Sequence, residues 1–402
     1  MNIGILTYFR VANFGANLQA ISTYLYLKDK GYTPIFILYE SEQTSAYFDT
    51  SSIPINQRNM HINTVDNLLP HTNICRNVVD INKEIERYKI GTVIIGSDAV
   101  LQHHPLLSRI RKGRRKPFYI TGVAPERMFP NPFWGVGLMP QYPKALMSVS
   151  SQNSKYNLFS KRTLKCMGKT LSQMKYISVR DSWTQDMIYK ITGKRVDITP
   201  DPVFAFNQNA TMLIPTEISI RNKFDLPKHY VLVSLQSQSL SKNQLSDLKT
   251  ELCKLDLVPV AFPMPEGILF EHDFNYQIDL PLSPFDWYAL IRYSSAYIGS
   301  NMHPIVVSLH NAVPCFSIDN WGTRNFWGKA VLDGSSKVQD ILKVFGVGDN
   351  HASIENGECH VDTQYIIDKI VRFPKEKVNE KALIYQRKYN EMMDKILCSL
   401  LG

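Results

Sequence analysis

The feature that most limits this chain is a pattern that runs twice. Short apolar segments of strand length alternate with longer segments of helical period, from "NIGILTY" to "VDITPDPVFAF". After a polar joint at 207–228 the alternation restarts at "YVLVSLQSQ" and runs to "VPCFSID". Segments such as "IGTVIIGSDAV" suit strands covered on both faces, and strands alternating with helices build parallel sheets. The expected fold class is therefore α/β, with two Rossmann-like domains facing a cleft and a C-terminal helix. The divisions drawn are an N-terminal domain at 1–206, a linker at 207–228, a second domain at 229–345 and a helical tail at 346–402. Residues 41–72 read as polar and irregular, and 102–143 as a long surface excursion.

Domains usually hold roughly 100–150 residues, so 402 residues, 44% of them hydrophobic, suit two cores better than one. No apolar run reaches the about 18 residues that a membrane span needs. The first residues enter a strand directly, without the pattern of a secretory leader. Six cysteines are scattered singly, which supports neither a structural zinc nor a disulfide framework and fits a cytoplasmic protein. The net charge is +9, but Arg109, Arg111, Lys112, Arg114, Arg115 and Lys116 in "SRIRKGRRKP" supply six of it and leave about +3 elsewhere. A local patch with no aromatic residues between its charges argues against a nucleic-acid partner.

In open parallel sheets, ligands bind beyond the carboxyl ends of strands, where helix N-termini offer free N–H groups. Four segments carry unusual polar residues at such ends: "RVANFGAN", "GSDAV", "SVRDS" and "GSNMHP". In the last, Ser300, Asn301 and His303 precede an apolar helix with Pro304 in its first turn; a capping turn with a bonded histidine is the bland alternative. Arg180 leaves a strand where a buried cation needs an anion, either a ligand or the neighbouring Asp181 or Asp201. Asp98, beside Ser97, has the option of capping a helix. Asn13 and Asn17, around Gly15, either organise a turn or face a ligand. The dinucleotide fingerprint GxGxxG is missing, as are metal-binding and hydrolase motifs. The residues converge on anion binding without a metal.

Taken together, "ILTYFRVANFGANLQAISTYLYL", "VIIGSDAV", "SVRDSWTQDMIYKITGKRVDITPDPVF" and "SPFDWYALIRYSSAYIGSNMHPIVVSLHNAVPCFSID" resemble the polysaccharide pyruvyl transferase family, over roughly residues 3–320. The resemblance implies a GT-B-like fold and transfer of pyruvate from phosphoenolpyruvate onto a sugar as a cyclic ketal. Arg180 matches the arginine of the family's S-V-R-[ED] strand end, and His303 the histidine of its S-x-x-H-G turn. Pro304 stands where that turn has glycine, and "SVSSQNS" and "GSDAVLQH" depart from the family's usual sequence at those strand ends.

The resemblance implies Arg180 as the carboxylate or phosphate ligand, His303 as acid or phosphate ligand, and Asp98 as candidate base. Asn13, Gly15, Asn17, Ser97, Ser300, Asn301 and Arg324 are the expected substrate contacts, the first domain serving the acceptor and the second the anion. Phosphoenolpyruvate is then a co-substrate, and no other cofactor is implied. The acceptor is a sugar or glycan, free or lipid-linked, and the six-charge patch suits peripheral attachment to an anionic membrane surface. Two alternatives use the same cleft: a glycosyltransferase acting on a nucleotide sugar, and a non-catalytic sugar- or anion-binding module.

Overall fold

The computed structural model describes residues 1–43, 52–113, 116–237, 239–319, 322–331, 333–354 and 359–402. Its first sheet contains β1 (Asn2–Leu6), β2 (Thr33–Phe36), β3 (Ile90–Asp98), β4 (Lys144–Val149), β5 (Tyr176–Val179) and β6 (Asp197–Ile198). The second contains β7 (Tyr230–Ser234), β8 (Val258–Ala261), β9 (Tyr276–Gln277), β10 (Ala296–Gly299), β11 (Cys315–Asp319) and β12 (His351–Ser353). The orders are β2-β1-β3-β4-β5-β6 and β9-β8-β7-β10-β11-β12, with every pairing parallel. Strand order therefore reverses between β1 and β3 in one sheet and between β7 and β10 in the other. Such reversals open a crevice at the strands' carboxyl ends, because the flanking crossovers leave on opposite faces. The expected α/β fold, GT-B-like with two Rossmann-like domains, is the one observed.

The helices around the crevice are set by local signals. Asn13 caps the Phe14–Asp29 helix by accepting the Ala16 N–H at 3.1 Å, and Asp181 caps Ser182–Thr192 by accepting from Thr184 at 2.7 Å. A carboxylate or amide oxygen there satisfies a donor that the helix itself leaves unpaired.

One buried apolar cluster runs through both domains, from Ile3 and Phe14 to Tyr230, Trp287 and Leu400. Phe14 stacks on Trp287 with ring centroids 5.0 Å apart. The final helix, Lys375–Leu401, returns from the second domain to the first: Tyr389 lies edge-on to Tyr26 at 5.5 Å, and Lys395 pairs with Asp197 at 3.0 Å. No helix among the described residues is long and apolar enough to cross a membrane.

Four expectations about segments are corrected. Within 41–72, Ile55–Leu68 is a helix; its Gln57 exchanges two hydrogen bonds with the Leu282 backbone across the domains, at 2.9 and 2.6 Å. Its apolar face is narrow, so it left little periodic signal. Within 102–143, Phe133 and Trp134 are fully buried, and only part of the segment is surface. The joint at 207–228 is ordered, with a Glu217–Phe224 helix capped by Thr216. The division at 345 fails as well, because β12 and the Thr363–Val371 helix belong to the second sheet's layers and only the last helix crosses over.

Candidate functional site

The two strand-order reversals face each other across a cleft of about 1400 Å³. Asp98 ends β3, Arg180 follows β5, and His303 lies in the first turn of the Met302–His310 helix that follows β10. All three line the cleft, together with Asn13, Gly15, Asn301, Arg324 and Lys337.

Gly15 explains how His303 gets there. A Cβ on residue 15 would lie 2.0 Å from His303 Cγ and 2.1 Å from its Nδ1, so the imidazole rests directly on the backbone of the first helix turn. Only a residue without a side chain leaves that space. His303 Nε2 lies 3.1 Å from the Gln19 amide nitrogen, and the same nitrogen donates to Asp201 Oδ2 at 2.5 Å. A carboxylate accepts and cannot donate, which fixes the amide orientation and leaves Nε2 as an acceptor. The ring hydrogen of the neutral imidazole is then on Nδ1. Burial holds the His303 pKa below the usual histidine range; the Asp201 carboxylate opposes this and the Arg180 cation adds to it. Protonation would place a hydrogen on Nε2, which faces Asp201 Oδ2 at 3.9 Å.

Arg180 is almost wholly enclosed. One terminal nitrogen donates to Asp201 at 2.5 Å and the other lies 3.8 Å from Asp98, while Nε is buried with no partner among the described residues. Of the two structural partners weighed for it, Asp201 makes the direct bond; Asp181 instead accepts from Ser150 and Thr184. Burial alone would raise the Asp98 pKa, but Arg180, His303 and Lys337 outweigh it and keep the carboxylate ionised. Lys337, the first residue of the helix capped by Ser336, is pushed down to about 8 by burial and by the neighbouring Arg180 charge.

Three expected contacts sit elsewhere. Asn17 is fully buried, donating to the Phe9 and Val11 carbonyls and accepting at His61. Ser97 donates to the Ser148 carbonyl behind β3, and Ser300 donates to the Ile318 carbonyl at 2.6 Å. Small polar residues at strand ends are ambiguous in sequence, because satisfying the backbone and meeting a ligand call for the same groups. Asn301 does line the cleft, in an unusual backbone conformation with φ 79° and ψ 149°. The residues that meet in the cleft come from both domains, Arg180 and Asp98 from the first and His303 and Lys337 from the second.

The family model for polysaccharide pyruvyl transferase matches residues 13–322, more than half of the chain. The chain belongs to that family. No curated protein matches it in sequence. Among solved structures it is similar to the UDP-GlcNAc 2-epimerase of Neisseria meningitidis bound to UDP-GlcNAc, at 10% identity, with 99% and 100% of the two chains covered and a TM-score of 0.54. It is also similar to the Methanocaldococcus jannaschii UDP-GlcNAc 2-epimerase (9% identity, 96% and 100% covered, TM-score 0.50). The spinosyn forosaminyltransferase SpnP is a third (10% identity, 99% and 97% covered, TM-score 0.50). At such identities these likenesses establish the fold alone.

In this pyruvyl transferase family member, sequence reasoning missed Gln19 and Lys337 and treated Asp201 only as a structural partner. Lys337 had one usable signal, the Ser336-x-x-Gln339 cap pattern after Gly334. The basic segment also proves divided. Arg109 and Arg111 line the cleft, Lys112 and Lys116 are exposed, and Arg114 and Arg115 lie outside the described residues. Lys112 sits over the Trp327 ring at 4.1 Å, and its N–H donates to the Phe326 carbonyl at 2.8 Å, joining a hairpin of each domain.

Proposed function

We propose that the protein moves pyruvate from phosphoenolpyruvate onto a sugar of a surface polysaccharide or its precursor, as a cyclic ketal. The observation that carries this reading is the cleft floor. There Arg180, Lys337 and His303 converge from both domains beside an ionised Asp98, and one Arg180 N–H has no partner among the described residues. A small dianionic or trianionic substrate suits such a floor, and fixed N–H donors bind carboxylate and phosphate well.

In the reaction, two acceptor hydroxyls form C–O bonds to C2 of the enol phosphate, the C2–O bond to phosphate breaks, and C3 becomes a methyl group. One hydroxyl proton is balanced by the proton added at C3 and the other leaves with phosphate. His303 Nδ1–H donates to the phosphate. Its charge, placed between that anion and Asp201, makes the protonated ring accessible as the acid that delivers a proton to C3. Asp98 accepts from an acceptor hydroxyl.

Phosphate release from phosphoenolpyruvate, measured across a panel of acceptor glycans, tests the reading. Release should require an acceptor, and His303→Gln should lower turnover by about 100-fold or more. Gly15→Ala should lower it comparably while His303 itself is kept, because the added methyl group occupies the ring's place. Release that depends on a nucleotide sugar, with none from phosphoenolpyruvate, would replace this reading with glycosyl transfer. Wild-type turnover in both variants would remove His303 from the chemistry.

Peripheral attachment to an anionic membrane surface belongs to the same proposal, now on a smaller set of residues. Lys112 and Lys116 are exposed beside Phe118, Tyr119 and Trp327, so charge and amphipathic rings share one surface. Lys112→Ser with Trp327→Ser should weaken sedimentation with anionic vesicles. Equal sedimentation of the two proteins would sink the attachment and leave the transfer reading intact.

A further inference from the structure

The cleft floor does not account for its mouth. Arg109, Arg111, Arg127, Lys155 and Arg324 line the same cleft, and Arg127 and Arg324 are exposed where Arg180 is buried. The first four come from the excursion and the loop after β4, and Arg324 comes from the opposite domain. Lys155 Nζ donates to the Arg324 carbonyl at 2.7 Å, and Asn153 donates to the Gly322 carbonyl at 3.2 Å, so the cluster is pinned across the cleft.

Among the described residues, no carboxylate pairs directly with Arg109, Arg111, Lys155 or Arg324. Glu126, Glu266 and Asp98 line the same cleft, and Asp333 acts on Lys155. Glu126 accepts the Ser41 N–H, while Asp333 accepts from Thr323 and Ser335. Arg109 donates from one terminal nitrogen to the Thr121 carbonyl at the limit of bonding distance, 3.5 Å, and its Nε is buried with no partner among the described residues. The crowding registers in the charges: burial and then Arg324 lower the Arg111 pKa, and burial and then Arg111 lower that of Lys155, with Asp333 acting the other way. His104, half-buried beside them, is held down to about 4 by burial and by Arg127, His103, Arg109 and Arg111. A mouth built with this much uncompensated positive charge and a buried orphan N–H is arranged for an anion larger and more exposed than the one at the floor.

We infer that the mouth is a second anion subsite, which holds a phosphate or diphosphate group carried by the acceptor. This rests on the transfer reading for the word acceptor, but the subsite itself does not depend on it. Two carriers share this chemistry, a nucleoside diphosphate and a polyprenyl diphosphate. Arginine forks bind both, and the carrier's remainder would extend from the cleft into solvent or towards a lipid surface.

The test uses the full chain and three probes: inorganic pyrophosphate, uridine diphosphate and farnesyl diphosphate. Each is titrated by calorimetry with saturating phosphoenolpyruvate present, so that the floor is occupied. Pyrophosphate should bind, and Arg109→Gln with Lys155→Gln should weaken it by about 100-fold, since two charged hydrogen-bond donors are removed. Phosphoenolpyruvate should bind the double variant as it binds the wild type, which also reports that the variant is folded. Arg180→Lys should show the opposite pattern, weaker for phosphoenolpyruvate and unchanged for pyrophosphate. Tighter binding of uridine diphosphate than of pyrophosphate would support the subsite with a nucleotide carrier, and tighter binding of farnesyl diphosphate would support it with a lipid carrier. Pyrophosphate binding that the double variant leaves unchanged, or that phosphoenolpyruvate abolishes, would overturn the second subsite. Failure of phosphoenolpyruvate to bind the wild type, with pyrophosphate still lost in the double variant, would sink the transfer reading and keep the mouth as an anion site.

Discussion

Arg180→Met should destabilise the protein by roughly 3–5 kcal/mol and abolish phosphoenolpyruvate binding. The stability term follows from what is left behind: Asp201, 1% exposed, would lose the cation that bonds it directly, and Asp98 would lose a neighbour at 3.8 Å. An uncompensated buried carboxylate is far costlier than the pair was worth. Urea unfolding reads that term directly. Adding Asp201→Leu should recover much of the loss, because both charges are then gone, yet should not recover binding. Arg180→Lys separates recognition from support. It keeps a charge near Asp201 but offers no planar fork, and it should weaken phosphoenolpyruvate by the roughly 1.5–3 kcal/mol of one charged hydrogen bond. If the lysine variant binds as tightly as the wild type, Arg180 is a structural cation and the floor ligand is held by others.

Acid should be the second strong perturbation. His61, His103 and His104 are held down to about 4 and His310 to about 3, in every case chiefly by burial. Hydrogen bonds agree with neutral rings: His103 Nδ1 accepts the Phe129 N–H, and His310 Nε2 accepts from Asn207. In the unfolded chain these histidines titrate near 6.5. Between that value and about 4 the unfolded state binds protons that the folded state refuses, so stability falls as pH falls. Each group contributes up to about 1.4 kcal/mol per pH unit in that window. The unfolding free energy read from urea titrations should therefore drop steadily from pH 7 to pH 5, by several kcal/mol in all. A flat profile over that range would mean that these rings are already charged, or reach solvent, in the folded protein.

How much of this was legible beforehand depends on what kind of signal each element leaves. Strands buried on both faces, such as Ile90–Asp98, announce themselves as apolar runs, so both sheets could be read, while the order of strands within them, and hence the reversals, leaves no local signal. The Ile55–Leu68 helix buries only Gln57, His61 and Val65, too few apolar positions for a period to show. His303, Arg180 and Asp98 could be singled out because polar and charged groups at strand ends are unusual, and the structure brings the three together in the cleft. Gln19 was not, because an amide within a helix looks like a surface residue until its partners are known. Ser97 and Ser300 were misplaced for the converse reason, since their hydroxyls are used by carbonyls that lie far away in sequence.

The floor's charges have a mechanical side. Arg180 is carried by one sheet and Lys337 by a helix of the other domain, and after burial it is the Arg180 charge that most disfavours the charge on Lys337. Like charges on two bodies act as a compressed spring between them, which the shared apolar core and the returning C-terminal helix hold shut. Asp98, Asp181 and Asp201 take up part of that load, so the seam between the two halves is tuned by charge as well as by packing.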